Sequence, residues 1–133
     1  MAFVLDASVA GCWAFDDEEH PAASAAFERI ASEPALVPGV WWFEIRNLLI
    51  VNERRGRIIE AETTAFLGHL GRLPIMADSD ADGVHVLELA RRFRLSVYDA
   101  AYLELAQRLA APLATLDAPL ARAAKEQGVG LVE

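Results

Sequence analysis

The sequence predicts an α/β layered protein with a short, mostly parallel sheet flanked by helices. Three observations predict it. Short apolar runs bounded by Pro, Gly or Asp recur along the chain, each too brief for a helix and suited to a buried strand. Between them lie longer amphipathic segments with recognisable helix starts and stops. Strands alternating with helices give parallel sheets in layered folds. At 133 residues and 54% apolar content, the chain is long enough to bury a core without staples, and one domain over residues 1–133 is expected. No internal repeat, low-complexity tract or Pro/Gly/Ser-rich linker divides it.

The elements follow in order. "AFVLD" (Ala2 to Asp6) is the first strand, and "SVAGCWAF" starts a helix. His20 to Glu33 is a second helix, with Pro21 in its first turn, where the missing N–H costs nothing. "ALVPG" (Ala35 to Gly39) is a strand with a stop. Trp41 to Gly56 is a strong helix ended by glycine. Ile59 to Leu73 is another helix, and "PIMAD" (Pro74 to Asp78) a short strand. "DADGVHVLELARRFRL" and "SVYDAAYLELAQRLA" are two further helices, with the acidic Asp78 to Asp82 run leading into the first. That run lacks the Gly and terminal Glu spacing of a Ca²⁺ loop. "PLATLD" (Pro112 to Asp117) is a strand, "APLARAAKEQG" a helix and "VGLVE" a last short strand.

Composition excludes several classes. No apolar run approaches the roughly 18 residues of a membrane span. The amino-terminal segment has neither the basic region nor the cleavage site of a signal peptide. A lone cysteine, Cys12, excludes an internal disulfide and a thiolate metal cage, so a cytoplasmic location is expected. The formal net charge of −8 argues against nonspecific nucleic-acid binding, which needs Lys and Arg on phosphates. Eleven of the twelve basic residues are nevertheless Arg, with clusters at Arg54, Arg55 and Arg57 and at Arg91, Arg92 and Arg94. They read first as solvated helix ends complementing the dipole, and second as a phosphate-facing rim. His20, His69 and His85 share no metal-ligand spacing. Trp13, Trp41 and Trp42 read as core or interface residues, with base stacking the alternative. The run from Asp16 to Glu19 reads as a solvated turn before a helix.

Four other acids are placed unusually. In "SVYDAAYLELA", Glu104 and Arg108 share a face at i,i+4, and Tyr98, Tyr102, Leu105 and Leu109 form an apolar stripe. Asp99 lies beside Leu103 and Ala106, roughly opposite Arg108, so it does not point into open solvent with the charged pair. Asp6 and Asp117 each end a strand and open a helix, and Glu44 sits in the first turn of its helix, flanked by Leu48 and Val51. Singly, each acid reads as a cap or a dipole partner: Ser96 and Asp99 resemble a capping box, and Pro119 suits the turn after Asp117. Together they read differently. Strand ends and the helix starts that follow them lie along one edge of a parallel sheet, where open α/β sheets place their sites. No Lys or His lies in these motifs, and Arg46 points about 200° from Glu44 around its helix. Converging carboxylates would raise one another's pKa, a conflict that a divalent cation resolves. Oxygen-only ligands favour Mg²⁺ or Mn²⁺. Ser8 and Thr115 flank the acids with hydroxyls.

"VLDASV", "WWFEIRNLL", "SVYDAAYLELA" and "PLATLDAPLARAAKEQGV" closely resemble the four blocks of PIN-domain ribonucleases, above all the VapC toxins of bacterial toxin–antitoxin pairs. The blocks come in the family's order and cover roughly a third of the chain; between the second and third the likeness is one of length and helical character. The resemblance implies a PIN-like three-layer fold, with Asp6, Glu44, Asp99 and Asp117 as an acidic metal-binding and catalytic quartet. Ser8, Thr115 and Asn47 fall at supporting polar positions, and Arg46, Arg54, Arg55 and Arg91 are candidates for a substrate rim. Ala7-Ser8 departs mildly from the commonest first block, and none of the four acids is replaced. The implied reaction is Mg²⁺- or Mn²⁺-dependent hydrolysis of an RNA phosphodiester, with water as the nucleophile. A small antitoxin of the VapB type and a second copy of the chain are the implied partners, with no membrane.

Rival readings fit less well. A phosphoryl-accepting receiver domain needs a Lys near its last strand, and the only Lys, Lys125, lies deep in the final helix. A dehalogenase-type phosphatase needs Asp-x-Asp where this chain has Asp6-Ala7-Ser8. A flap-type DNA nuclease needs an insertion to thread a DNA end. A partner-binding scaffold would have no use for all four acids.

Overall fold

The computed structural model describes residues 1–133. Four strands, β1 (Phe3–Leu5), β2 (Ala35–Pro38), β3 (Ile75–Asp78) and β4 (Leu113–Ala114), form one sheet in the order β3-β2-β1-β4. Every pairing is parallel, with Phe3 opposite Ala35, Val4 opposite Leu113 and Pro38 opposite Asp78. Seven helices complete the three-layer α/β arrangement: α1 (Ala7–Cys12), α2 (Pro21–Arg29), α3 (Trp41–Arg54), α4 (Glu60–Leu70), α5 (Gly83–Phe93), α6 (Val97–Arg108) and α7 (Ala118–Glu126).

β1 lies between β2 and β4 and is wholly buried, which is why its three residues are all large and apolar. α6 packs across β1, β2 and β4, and α5 stacks on α6. α2 lies against β4 and α1, and α1 against α3. The apolar core runs from Phe3 to Val132 and includes Ile45, Leu49, Tyr102, Leu103, Leu105 and Leu120.

Helix boundaries follow capping chemistry. Asp82 accepts the Val84 and His85 N–H groups at the start of α5, Ser96 accepts the Asp99 N–H at the start of α6, and Asp117 accepts the Leu120 N–H at the start of α7. The glutamate Glu62 accepts the Ile59 N–H ahead of α4. Gly56 leaves α3 at φ +74°, a conformation glycine adopts without strain. α5 ends on Arg94 at φ 55°, a left-handed position filled here by a non-glycine residue.

Two expectations are corrected. "VGLVE" does not form a fifth strand; after the turn at Gly128 (φ +73°) only Leu131 bridges to Leu113. Nor do Glu104 and Arg108 form a solvent-facing pair. The Glu104 side chain is 2% exposed, because Asp78 at the end of β3 reaches across to Arg108 and closes over it.

Candidate active site

The end of β1 delivers Asp6 to the sheet edge. Its carboxylate is buried and accepts two hydroxyl hydrogen bonds on Oδ2, from Ser8 at 2.7 Å and from Thr115 at 2.7 Å. The same hydroxyls accept backbone N–H groups: Ser8 from Leu116 at 3.1 Å and Thr115 from Asp117 at 3.1 Å. The loop after β4 is thus laced to the end of β1, and Asp117 is set beside Asp6. Burial pushes the Asp6 carboxyl above its ordinary range; the Thr115 and Ser8 hydroxyls oppose the shift, and the Asp117 charge adds to it.

Glu44 comes from the first turn of α3. α1 approaches α3 so closely that a Cβ on Gly11 would collide with Leu48 Cδ1, so the missing side chain at Gly11 brings the helices of Asp6 and Glu44 together. The Tyr102 hydroxyl donates to Glu44 Oε1 at 2.6 Å. Glu44 is raised by burial and by the charges of Asp6 and Asp99, and lowered by the phenol. Asp99, half-buried in the first turn of α6, is raised by burial and then by Asp117 and Asp6. These mutual influences place the four acids as electrostatic neighbours from four separate segments of the chain.

Their environment differs from that of other acids in the molecule. The six ion pairs involve Glu33, Asp17, Glu18, Glu88, Asp78 and Glu104, and none involves Asp6, Glu44, Asp99 or Asp117. Buried Glu104 has Arg108; buried Asp6 has only hydroxyls. As the side chains stand, no three ligating groups are close enough to share one ion. Asp6 is held through Oδ2 by its hydroxyls, Glu44 through Oε1 by Tyr102 and Asp117 through Oδ1 by its helix cap, which leaves the other oxygen of each without a hydrogen-bond partner. The donor set still suits a divalent cation: oxygen ligands, partly desolvated, mutually repulsive and without a basic neighbour. The well-formed concavities lie elsewhere, the one of about 460 Å³ being lined by Gln107, Pro112, Gln127 and Gly130.

The other expected site residues are spread more widely. Asn47 is exposed on α3, in a groove with Phe43, Ile50 and Thr63, and has no hydrogen bond to the acids. Arg46 lies flat on Trp42, its guanidinium 3.5 Å from the ring centroid, facing α4 rather than Glu44. Arg54 and Arg55 are exposed at the far end of α3, about 15 Å along the helix from Glu44. Arg91 is exposed in the last turn of α5. Arg57, read with the basic cluster, instead binds Asp17, Glu18 and Asn52 and covers Phe15; the acid run before α2 is therefore partly consumed by this tie. His85 contacts Glu88 and Gln107, away from the acids. Sequence reasoning assigned Tyr102 to an apolar stripe and missed its bond to Glu44. The available signal was its i,i+3 spacing from Asp99, which puts both on one face of α6.

Known proteins resemble this chain as follows. The PIN domain family model matches residues 3–126. The crystal structure of PAE2754 from Pyrobaculum aerophilum superposes with a TM-score of 0.74 at 22% identity, over 92% of this chain and 84% of that one. The crystal structure of VapC20 from Mycobacterium tuberculosis, a sarcin-ricin loop cleaving toxin, superposes with a TM-score of 0.62 at 14% identity, over 91% of this chain and 94% of that one. No curated protein matches the chain. The family match takes in β1, where Asp6 originates, and α7, which Asp117 caps, so the whole acidic edge lies within it: the chain belongs to the PIN-domain family.

Proposed function

We propose that this protein is a VapC-type toxin, a single domain over residues 1–133 that cuts RNA endonucleolytically with Mg²⁺ or Mn²⁺. Asp6, Glu44, Asp99 and Asp117 would hold the ion, supported by Ser8 and Thr115. The observation that carries this reading is that Asp6, Glu44 and Asp99, buried or half-buried, and Asp117 make no ion pair with any basic residue. A protein that neutralises Glu104 with Arg108 leaves these four to an external cation. When bound, a divalent ion supplies Lewis-acid charge for the phosphate and lowers the pKa of an attacking water.

The chain's own residues do the rest. Ser8 and Thr115 fix the Asp6 carboxylate in place, the Leu120 N–H fixes Asp117, and Tyr102 fixes Glu44. The starts of α6 and α7 carry the positive end of the helix dipole, which suits phosphate. The Arg side chains at Arg46, Arg54, Arg55 and Arg91 are proposed as outer phosphate contacts.

An antitoxin and a second copy of the chain are the proposed partners. Beside Glu44, α3 leaves Trp42 52% and Phe43 68% exposed, an apolar surface that a partner would cover. No helix is long and apolar enough to cross a membrane, and Cys12 is free, in keeping with the proposed cytoplasmic location.

The test is cleavage of a structured RNA pool by purified, antitoxin-free protein with Mg²⁺ or Mn²⁺, beside EDTA and the folded Asp99→Asn variant. Metal-dependent cutting lost in both controls supports the proposal. Equal cutting of single-stranded DNA would move it to a DNA nuclease. No cutting, together with no Mn²⁺ binding by calorimetry, would sink it.

A further inference from the structure

Tyr102 is a polar residue in an apolar place. It is 0% exposed, the largest fully buried side chain of the protein, on the helix that packs across β1, β2 and β4. A phenylalanine would fill the same volume. The hydroxyl is the only difference, and it sits 2.6 Å from Glu44 Oε1, a short O–H···O⁻ distance. Tyr102 lies three residues after Asp99 on α6. The hydroxyl therefore joins α6, which carries Asp99, to the Glu44 side chain of α3.

Glu44 needs such a tether. Its side chain has three rotatable bonds, it is only half-buried, and its negative neighbours drive it outward. No other side chain hydrogen-bonds to it. The other acids are held differently: Asp6 by two hydroxyls, Asp117 by its own helix.

We propose that Tyr102 is a positioning residue that aims the Glu44 carboxylate at the acidic edge, so that Glu44 serves as a cation ligand rather than swinging into solvent. This rests on the metal-site reading above. The phenol touches neither substrate nor ion; it acts through Glu44, as outer-shell partners of metal ligands do.

The test is a double-mutant cycle on the full chain: wild type, Tyr102→Phe, Glu44→Gln and the double variant. Mn²⁺ affinity is read by titration calorimetry and metal-free folding by urea unfolding. Tyr102→Phe should weaken Mn²⁺ binding about tenfold, the lower end for loss of an outer-shell partner. In the Glu44→Gln background the same change should cost nothing further. Wild-type affinity in Tyr102→Phe, or an equal loss in both backgrounds, would overturn the proposal and leave Tyr102 as packing alone. Wild type that binds no Mn²⁺ would instead overturn the parent reading.

Should Tyr102→Phe fail to fold, the chain's two tyrosines permit a second measurement. In protein labelled with 3-fluorotyrosine, the ¹⁹F signal of buried Tyr102 should move on Mg²⁺ addition with the calorimetric midpoint. A signal that stays fixed while Mg²⁺ binds would overturn the tether.

Discussion

Arg108→Ala should be among the most damaging single changes away from the acidic edge. Arg108 Nε donates to Glu104 Oε2 at 2.7 Å and Nη2 to Glu104 Oε1 at 3.2 Å, while Nη2 and Nη1 reach Asp78 at 2.7 and 3.3 Å. Removing the guanidinium strands a carboxylate whose side chain is 2% exposed, leaving only the long Asp82 N–H contact at 3.4 Å. Breaking a buried pair from one side costs about 3–5 kcal/mol. The Asp78 arm, with Arg108 26% and Asp78 17% exposed, adds roughly 0–1 kcal/mol because solvent screens it. A loss of about 3–6 kcal/mol is expected, a large share of the roughly 5–15 kcal/mol that holds a domain together. For a chain of this size, that lowers Tm by roughly 10 °C or more. Urea unfolding with an unchanged slope is the assay, so that the midpoint reports stability alone. The double change Glu104→Leu with Arg108→Met removes both charges and should recover most of the loss. If Arg108→Ala costs less than about 1 kcal/mol, within the range of a surface pair, the argument that Glu104 is desolvated fails.

Two further outcomes follow from the acidic edge. In EDTA the protein should gain stability as pH falls from 8 toward 5: Asp6, Glu44 and Asp99 are held above the ordinary carboxylate range, so the folded chain binds protons more tightly than the unfolded one. His85, also raised, contributes in the same direction, whereas Asp78, depressed by Arg108, withdraws its contribution only as pH drops through its ordinary value of 3.8. Thermal unfolding should therefore show a smaller slope in Asp99→Asn, and a flat or opposite profile in the wild type would contradict the raised values. Thr115→Val keeps the shape but removes the hydroxyl from Asp6 and strands the Asp117 N–H, so urea unfolding should show a loss of about 1–3 kcal/mol. A neutral result would mean that the two loops are held by packing alone.

Much of this was legible in the chain. β1 is the Phe3–Leu5 core of the first apolar run, and Pro21, Ser96 and Asp117 mark the starts of their helices by local chemistry that needs no tertiary partner. That Asp6 and Asp117 share an edge followed from parallel strands, because strand ends lie together; how the four carboxylates turn to separate partners did not. Contacts across long separations were not legible. Nothing near Glu104 announces Asp78, 26 residues earlier, and nothing near Arg57 announces Asp17, 40 residues earlier, so a buried network and a tie both read as surface charge. Tyr102 was hidden for a related reason: an aromatic residue on an apolar stripe gives no sign of what its hydroxyl meets.

β1 has consequences for when the site comes into being. Asp6 is made early in the chain, but its strand is completed by Leu113 and Ala114, and its carboxylate is held by Thr115, 109 residues later. Pairings this distant in sequence close slowly, after local helices have formed. During synthesis, Asp6, Glu44 and Asp99 all precede the segment that assembles them. A growing chain that has reached α6 carries three of the four acids and no formed site. The setting of Asp117 beside Asp6 therefore waits on the docking of β4 beside β1.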